Sequence, residues 1–201
     1  MFVRGTDRRI YHRFYQPNVG LWSDYRDINF EADSEPSATS QGPGSAVVVA
    51  ARWQGNRRGV SVKVHRDGEW HGPVWLGHPP LVSMSGAPTV ANCCGFGVLV
   101  LSNGSDGNIY SAWVNPRRLN RPDEPYEWTR LPMPLPVVGG LAGSPVAVSR
   151  AEDSIDMFVV GANGHVYHAY RSSVMDAWRP EWFDIGCCAL PGSKVAVATG
   201  D

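Results

Sequence analysis

The chain has 201 residues, of which 43% are hydrophobic and 18% are charged, and its formal net charge is −1. A near-neutral chain disfavours binding to nucleic acid or to a membrane surface through charge. No apolar run approaches the roughly 20 residues that a spanning helix needs, and the opening residues contain no apolar core of a secretory signal. We therefore expect a soluble globular chain with no nucleic-acid partner and no membrane insertion.

The residue types favour strands over helices. Arginine supplies 16 of the 18 basic residues, and the chain holds 8 Trp and 7 Tyr. Short apolar runs at residues 47–51, 98–101 and 157–160 are bounded by turn residues, which is the pattern of strands. We predict an all-β fold.

A strand–turn–strand unit opens the chain and returns along it. Residues 2–12 read FVRGTDRRIYH, and residues 158–168 read FVVGANGHVYH, with a Gly/Asp/Asn turn between an apolar strand and a strand that carries Tyr. Residues 98–110 form a third copy, and residues 46–64 form a degenerate fourth. Internal repetition of this kind indicates a repeat architecture.

Each copy follows a strand of small residues and precedes a Trp-rich segment. The register markers Pro36, Pro88, Pro145 and Lys194 are 52, 57 and 49 residues apart. A unit of about 50 residues with four antiparallel strands is typical of a β-propeller blade. The predicted domain is one propeller of four blades, at residues 193–201 with 1–33, 34–84, 85–141 and 142–192. The C-terminal strand, residues 195–198, is expected to complete the first blade and to cover its unpaired edge.

Residues 2–12, together with the Trp-rich residues 22–28, resemble the repeat of the PLL-type β-propeller lectins, which bind fucose. Residues 158–168 with 178–185 match that repeat well, and the second unit matches it poorly. The resemblance implies a sugar-binding propeller. Members of that family usually have more blades, so four units predict either a small ring or two chains that pair into a ring of eight.

A sugar site needs an aromatic face for the C–H side of the sugar and planar polar groups for its hydroxyls. The candidate ligand-binding residues are those of the outer segments, namely Trp22, Tyr25, Arg26, Trp75, Trp128, Arg130, Trp178, Arg179 and Trp182. Wedge packing between blades also requires one ring per repeat, so each tryptophan can instead belong to the core. Neither a metal nor a cofactor is expected, because the acidic turn at residues 102–108 fits no metal loop.

The four cysteines form two adjacent pairs, Cys93-Cys94 and Cys187-Cys188, and this spacing matches no zinc motif. The two pairs are predicted on opposite faces of the propeller. They can be buried thiols, vicinal disulfides or disulfides to another subunit.

We expect a non-enzymatic, multivalent protein that binds glycans, fucosylated or methylated sugars among them, in an extracellular or particle-exposed setting. Its acidic residues stand singly, whereas a glycosidase needs two paired carboxylates. The alternative is a structural or interaction module of a larger assembly, such as a virion, a toxin or a surface complex, which its cysteine pairs cross-link. In either case a homo-oligomer or an assembly partner is expected.

Overall fold

The computed structural model describes residues 1–42, 47–53, 59–93, 97–119, 126–132, 140–151, 154–172, 177–186, 188–190, 193 and 195–197. Every regular element within these ranges is a β-strand. No helix in this part of the chain could cross a membrane. The predicted all-β fold is confirmed.

The strands form four larger antiparallel sheets in chain order and one small hairpin. The first sheet contains β1 (Phe2–Arg4), β2 (Arg9–His12) and, after the hairpin of β3 (Tyr15–Gln16) and β4 (Leu21–Trp22), β5 (Arg26–Glu31). The second sheet contains β6 (Ser37–Ser40), β7 (Val47–Trp53), β8 (Gly59–Arg66) and β9 (Glu69–Gly77). The third sheet contains β10 (Met84–Cys93), β11 (Gly97–Gly104), β12 (Ile109–Val114) and β13 (Thr129–Arg130). The fourth sheet contains β14 (Val146–Ala151), β15 (Ser154–Val160), β16 (Val166–Ser172), β17 (Ala177–Trp178) and β18 (Phe183–Gly186).

The first sheet differs from the prediction at its edge. It has three strands in the order β1-β2-β5, and residues 195–197 form no strand. The expected fourth strand from the C-terminal segment is therefore not found among the described residues. Residues 194 and 198–201 of that segment lie outside them.

The repeated turn has one structure in three of the sheets. An Asp or Asn side chain is hydrogen-bonded to the hydroxyl of the Tyr four residues later. The same side chain accepts a hydrogen bond from the backbone N–H two residues later, and this begins a tight hairpin. The pairs are Asp7–Tyr11 at 2.6 Å, Asp106–Tyr110 at 2.7 Å and Asn163–Tyr167 at 2.8 Å. Strand register agrees as well, because Phe2 pairs with His12 as Phe158 pairs with His168. The sequence repeat thus corresponds to a repeated set of side-chain hydrogen bonds in the turns.

Two glycines of the turn at residues 104–108 have different roles, which a pair of substitutions can separate. A Cβ on Gly104 would lie 2.5 Å from Asp106 Oδ1 and 2.7 Å from the Tyr110 ring. Gly107 has open space but a φ of +79°, a conformation that Asn tolerates. We expect Gly104→Ala to lower the free energy of unfolding by about 2 kcal/mol. Gly107→Asn should lower it by less than about 0.5 kcal/mol. Denaturant titration measures both values, and equal losses would contradict the assigned roles.

Side chains alternate between the two faces of each inner strand, and this places one hydrophobic core between each pair of consecutive sheets. Val49 and Ala51 of β7 pack with Ile10 and Phe30 of the first sheet. Val48 of the same strand packs with the third sheet instead. A third cluster joins the third sheet to the fourth through residues such as Leu99, Leu101, Met157 and Ala169. The second and third sheets are therefore covered on both faces, as hydrophobic runs without a polar face predict.

A lysine interrupts the core between the first and second sheets. Lys63 of β8 is 4% exposed, and its Nζ donates to the Asn29 carbonyl oxygen at 2.9 Å. Burial lowers the pKa of this ammonium group below its ordinary value, against the opposing effect of the Asp27 carboxylate. The neutral amine is therefore favoured more in the folded chain than in the unfolded chain.

This lowered pKa gives a pH dependence with a definite sign. Between the folded pKa and the ordinary lysine value of about 10.4, the unfolded chain binds more protons at Lys63 than the folded chain does. Stability from this group therefore rises as pH increases through that interval. We expect Lys63→Met to remove the rise, so the difference in unfolding free energy between wild type and variant should change as pH increases towards about 10.4. A difference that is constant with pH would contradict the lowered pKa.

Candidate ligand-binding cleft

A cleft of about 460 Å³ opens where the outer parts of the third and fourth sheets diverge. Two tryptophans, two arginines and a glutamate line it together with small and apolar residues. The lining consists of Leu99, Ser111, Trp113, Glu127, Thr129, Arg130, Leu131, Pro132, Arg171, Ala177 and Trp178. An apolar wall with a few polar groups is the usual composition of a small-molecule site.

Trp113 presents the most accessible ring in this cleft. It lies on β12 opposite Leu99 of β11, and it is 49% exposed. The indole extends over Gly97, where an added Cβ would overlap the ring. The missing side chain at residue 97 therefore allows the ring to lie against β11. Leu99 and Leu131 are buried beneath the cleft at 4% and 3% exposure.

The polar groups come from the outer strand of one sheet and from the facing strand of the next. Thr129 and Arg130 of β13 pair with Ser111 and Tyr110 of β12, and Glu127 precedes them. On the other side, Arg171 of β16 pairs with Trp178 of β17. Its Nη1 donates to Cys93 Sγ at 3.4 Å. The cleft thus combines guanidinium donors, a carboxylate acceptor and two rings.

The structure brings only some of the predicted site residues together. Arg130 and Trp178 line the cleft. Five further predicted residues lie outside the cleft lining. Trp22 and Tyr25 flank Arg13, Arg26 lies over Phe14, Trp75 lies beside His78, and Arg179 lies over Tyr170.

Trp128 and Trp182, predicted as ligand-binding residues, lie instead between sheets. Trp128 Nε1 donates to the Leu76 carbonyl oxygen at 2.9 Å, and Trp182 Nε1 donates to the Pro132 carbonyl oxygen at 2.8 Å. Both rings also pack against the core clusters of these boundaries. Each ring therefore ties its own sheet to the preceding one, as wedge packing requires.

Sequence reasoning missed Trp113, Glu127 and Arg171. Ligand-binding rings are predicted only in the Trp-rich outer segments, whereas Trp113 lies on the strand before its segment. A signal was present, because Trp113 follows the repeat tyrosine Tyr110 by three residues, as Tyr170 follows Tyr167. Alternation then places position 113 on the same face as Ser111.

Cys93 ends β10 of the third sheet and Cys188 follows β18 of the fourth sheet, and the two lie near opposite ends of β16. Cys93 is buried and contacts Arg171 near the end of β16. Cys188 is exposed, and the adjacent Ala189 donates its N–H to the Gly164 carbonyl oxygen at the turn before β16. Cys94 and Cys187 lie outside the described residues. Bonding of the two pairs stays a prediction.

The wedge role of Trp128 can be tested by removing its N–H. We expect Trp128→Phe to lower the free energy of unfolding by about 1 kcal/mol, because the Leu76 carbonyl loses its donor. The matched control is Trp113→Phe, which alters a ring that is 49% exposed and should change stability much less. Thermal and denaturant unfolding measure both variants. Equal losses would contradict a specific wedge role for Trp128.

No family model and no curated protein sequence matches the chain. Among solved structures, it is similar to a protein of unknown function from Dyadobacter fermentans, with a TM-score of 0.53 and 10% identity. That match covers 89% of this chain, which spans 58% of the length of the Dyadobacter protein. A fucose lectin from Kordia zhangzhouensis, solved with methyl-fucoside, aligns with a TM-score of 0.46 and 11% identity over 74% of this chain and 96% of that one. The Dyadobacter likeness concerns the fold and transfers no residue role to this chain.

Proposed function

We propose that the protein binds carbohydrate in the cleft between its third and fourth sheets, without catalysing a reaction on it. The observation that carries this proposal is the exposed Trp113 indole beside Arg130, Arg171 and Glu127 in one concave site. Sugars present an apolar C–H face together with a ring of hydroxyls. A site for them needs both an accessible aromatic plane and polar groups at its border.

The lining supplies each of these contacts. The C–H face of a pyranose stacks on Trp113, whose ring is supported by the backbone at Gly97. The Arg130 and Arg171 guanidinium groups donate to hydroxyl oxygens, and the Glu127 carboxylate accepts from hydroxyl hydrogens. Strand pairing sets the backbone at Trp113, Arg130 and Arg171 before a ligand arrives, so binding has to order only side chains.

The acidic content of the described cleft lining favours binding over hydrolysis. Glu127 is the only acidic residue among the described residues that line it. Glycoside hydrolysis by the common mechanism requires two carboxyl groups at a controlled separation. A single carboxylate can accept hydrogen bonds from a sugar but cannot act as both acid and nucleophile.

The proposal extends to the arrangement of the sheets as propeller blades with repeated sites. Each sheet packs on the next, and Trp128 and Trp182 make the same kind of bond across successive boundaries. Position 113 corresponds to Phe14 in the first sheet and to Tyr170 in the fourth. Aromatic residues at these places support more than one sugar site, so avidity would strengthen weak individual sites.

Removing the Trp113 ring tests the proposed site directly. A glycan array and calorimetric titration with a panel of methyl glycosides, methyl-fucoside included, should identify a ligand for the wild-type chain. We expect Trp113→Ala to weaken binding at least about tenfold, which corresponds to about 1.4 kcal/mol of lost stacking. Trp75→Ala is the matched control, because Trp75 is an exposed ring outside the cleft, and it should leave the affinity unchanged.

Gly97→Ala tests the ring position without removing the ring. The added Cβ displaces the Trp113 indole, so affinity should fall while the tryptophan content stays the same. Absence of any glycan ligand for the wild-type chain would overturn the proposal. Equal affinities of wild type and Trp113→Ala would place the sugar site elsewhere.

A further inference from the structure

A cluster of imidazole and aromatic rings lies at the boundary of the first and second sheets. The ring centres of His12 on β2 and Trp70 on β9 are 5.5 Å apart. The ring centre of His65 on β8 lies 5.1 Å from that of the same indole. Phe2 of β1 stacks on His12 at 6.0 Å and meets Trp70 edge-on at 6.1 Å. Two imidazoles, one from each sheet, thus converge on one tryptophan.

An exposed ring with a cation beside it borders this cluster. Phe14, which corresponds to Trp113 of the cleft, is 42% exposed, and its ring centre lies 6.2 Å from that of His12. The guanidinium carbon of Arg26 is 5.9 Å from the Phe14 ring centre. Arg26 is exposed and pairs with His12 across β2 and β5, so the two side chains lie on one face of the first sheet.

The second sheet supplies an imidazole where the cleft has a guanidinium group. Trp70 pairs with His65 between β8 and β9, as Trp178 pairs with Arg171 between β16 and β17. Lys63, two residues before His65, donates to the first sheet, so alternation along β8 directs His65 to the same side. An imidazole changes its charge near neutral pH, whereas a guanidinium group does not. A site at this boundary would therefore respond to pH.

The three basic side chains have no polar partner within the described part of the chain. Arg26, His12 and His65 form no hydrogen bond and no ion pair there. The Asp27 carboxylate, adjacent to Arg26 in sequence, binds Arg9 instead. Burial lowers the pKa of His12 below its ordinary value, and the positive charges of His65, Arg26 and the α-amino group lower it further. Every charged group that acts on this imidazole is thus a cation, so a bound anion would stabilise its protonated form.

We propose that this boundary binds a carboxylate or sulfate group that is carried on a ring with an apolar face, as in an acidic sugar. The Arg26 guanidinium and the protonated imidazoles of His12 and His65 donate to the oxygens of the anion. Phe14 and Trp70 provide apolar surfaces for the ring that carries it. The proposal does not rest on sugar binding in the cleft, because none of these residues lines the cleft.

The two imidazoles make this binding stronger at mildly acidic pH. A histidine has an ordinary pKa of about 6.5, and a sugar carboxylate stays ionised above about pH 5. Between these values the anion keeps its charge while the imidazoles become cationic, so the affinity should rise as pH falls. The charged residues beside this site on β8 and β9, Arg66 and Glu69, pair on the other face of the sheet, where Arg66 donates to the Pro116 carbonyl oxygen.

Calorimetric titration of the full chain with acidic methyl glycosides tests the proposal. The probes are methyl β-D-glucuronide, which carries a carboxylate, and methyl β-D-glucoside 6-sulfate, with neutral methyl β-D-glucoside as their counterpart. We expect an acidic probe to bind at least about tenfold more tightly at pH 5.5 than at pH 7.5, whereas the glucoside should not change its affinity. Binding of one acidic probe alone identifies the group that the site takes. No binding of either probe at pH 5.5, or binding that does not strengthen as pH falls, would overturn the proposal.

Substitutions in the cluster locate the site. Arg26→Gln removes the permanent cation from an exposed position and should weaken binding of the acidic probe at least about tenfold at pH 5.5. Arg118→Gln is the matched control, because this arginine is exposed on the chain after β12, and it should bind as the wild type does. The double variant His12→Phe with His65→Phe keeps two rings beside Trp70 and should abolish the pH dependence.

The result is separable from the test of the cleft. A chain that binds no neutral glycan would overturn the function proposed for the cleft and leave the titration with acidic probes intact. Binding of an acidic probe that Trp113→Ala abolishes and Arg26→Gln does not would place the anion in the cleft and overturn the present proposal. Circular dichroism checks that each variant is folded. Should the double variant fail to fold, His65→Gln alone should reduce the pH dependence, and an undiminished dependence would contradict the role of this imidazole.

Discussion

Burial of both faces of each inner sheet is the constraint on which the rest of the structure depends. A strand such as β7 directs Val49 towards the first sheet and Val48 towards the third. Neither face can meet water without a large loss of hydrophobic stabilisation. Each inner sheet therefore requires a neighbour on both sides, and the chain supplies neighbours in sequence order. Short hairpins suffice within a sheet, since the neighbouring strands are antiparallel.

Polar groups are accommodated at the margins of this layered packing. The rings of Tyr110 and Tyr167 are buried. Their hydroxyl groups are hydrogen-bonded to Asp106 and Asn163 of the turns. Indole N–H groups of Trp128 and Trp182 satisfy carbonyls of the preceding sheet. Where the sheets diverge beyond these bonds, side chains no longer fill the gap. The cleft beside Trp113 is the result, with apolar core residues as its floor.

The sequence allowed the strands and the repeat to be predicted, because both depend on local chemistry. A glycine, an Asp or Asn two residues later and a Tyr four residues after that specify the same hairpin in three sheets. The role of each tryptophan was harder to predict from the sequence, because it depends on which neighbour the ring contacts in the fold. The Trp128 indole N–H meets a carbonyl oxygen of the preceding sheet, whereas the Trp113 ring faces an open cleft. Pairing of the C-terminal segment is likewise a matter of distant contacts, which its residue pattern does not encode.

The layered constraint also determines where a cleft of this kind can form. It needs the outer strands of two adjoining sheets, since Trp113 and Arg130 come from one sheet and Arg171 from the next. On the fourth sheet Tyr170 corresponds to Trp113 and Phe183 corresponds to Thr129, but the described residues provide no following sheet to form a second wall there. The packing rule that builds the core therefore also limits this kind of cleft to a boundary where two adjoining sheets diverge.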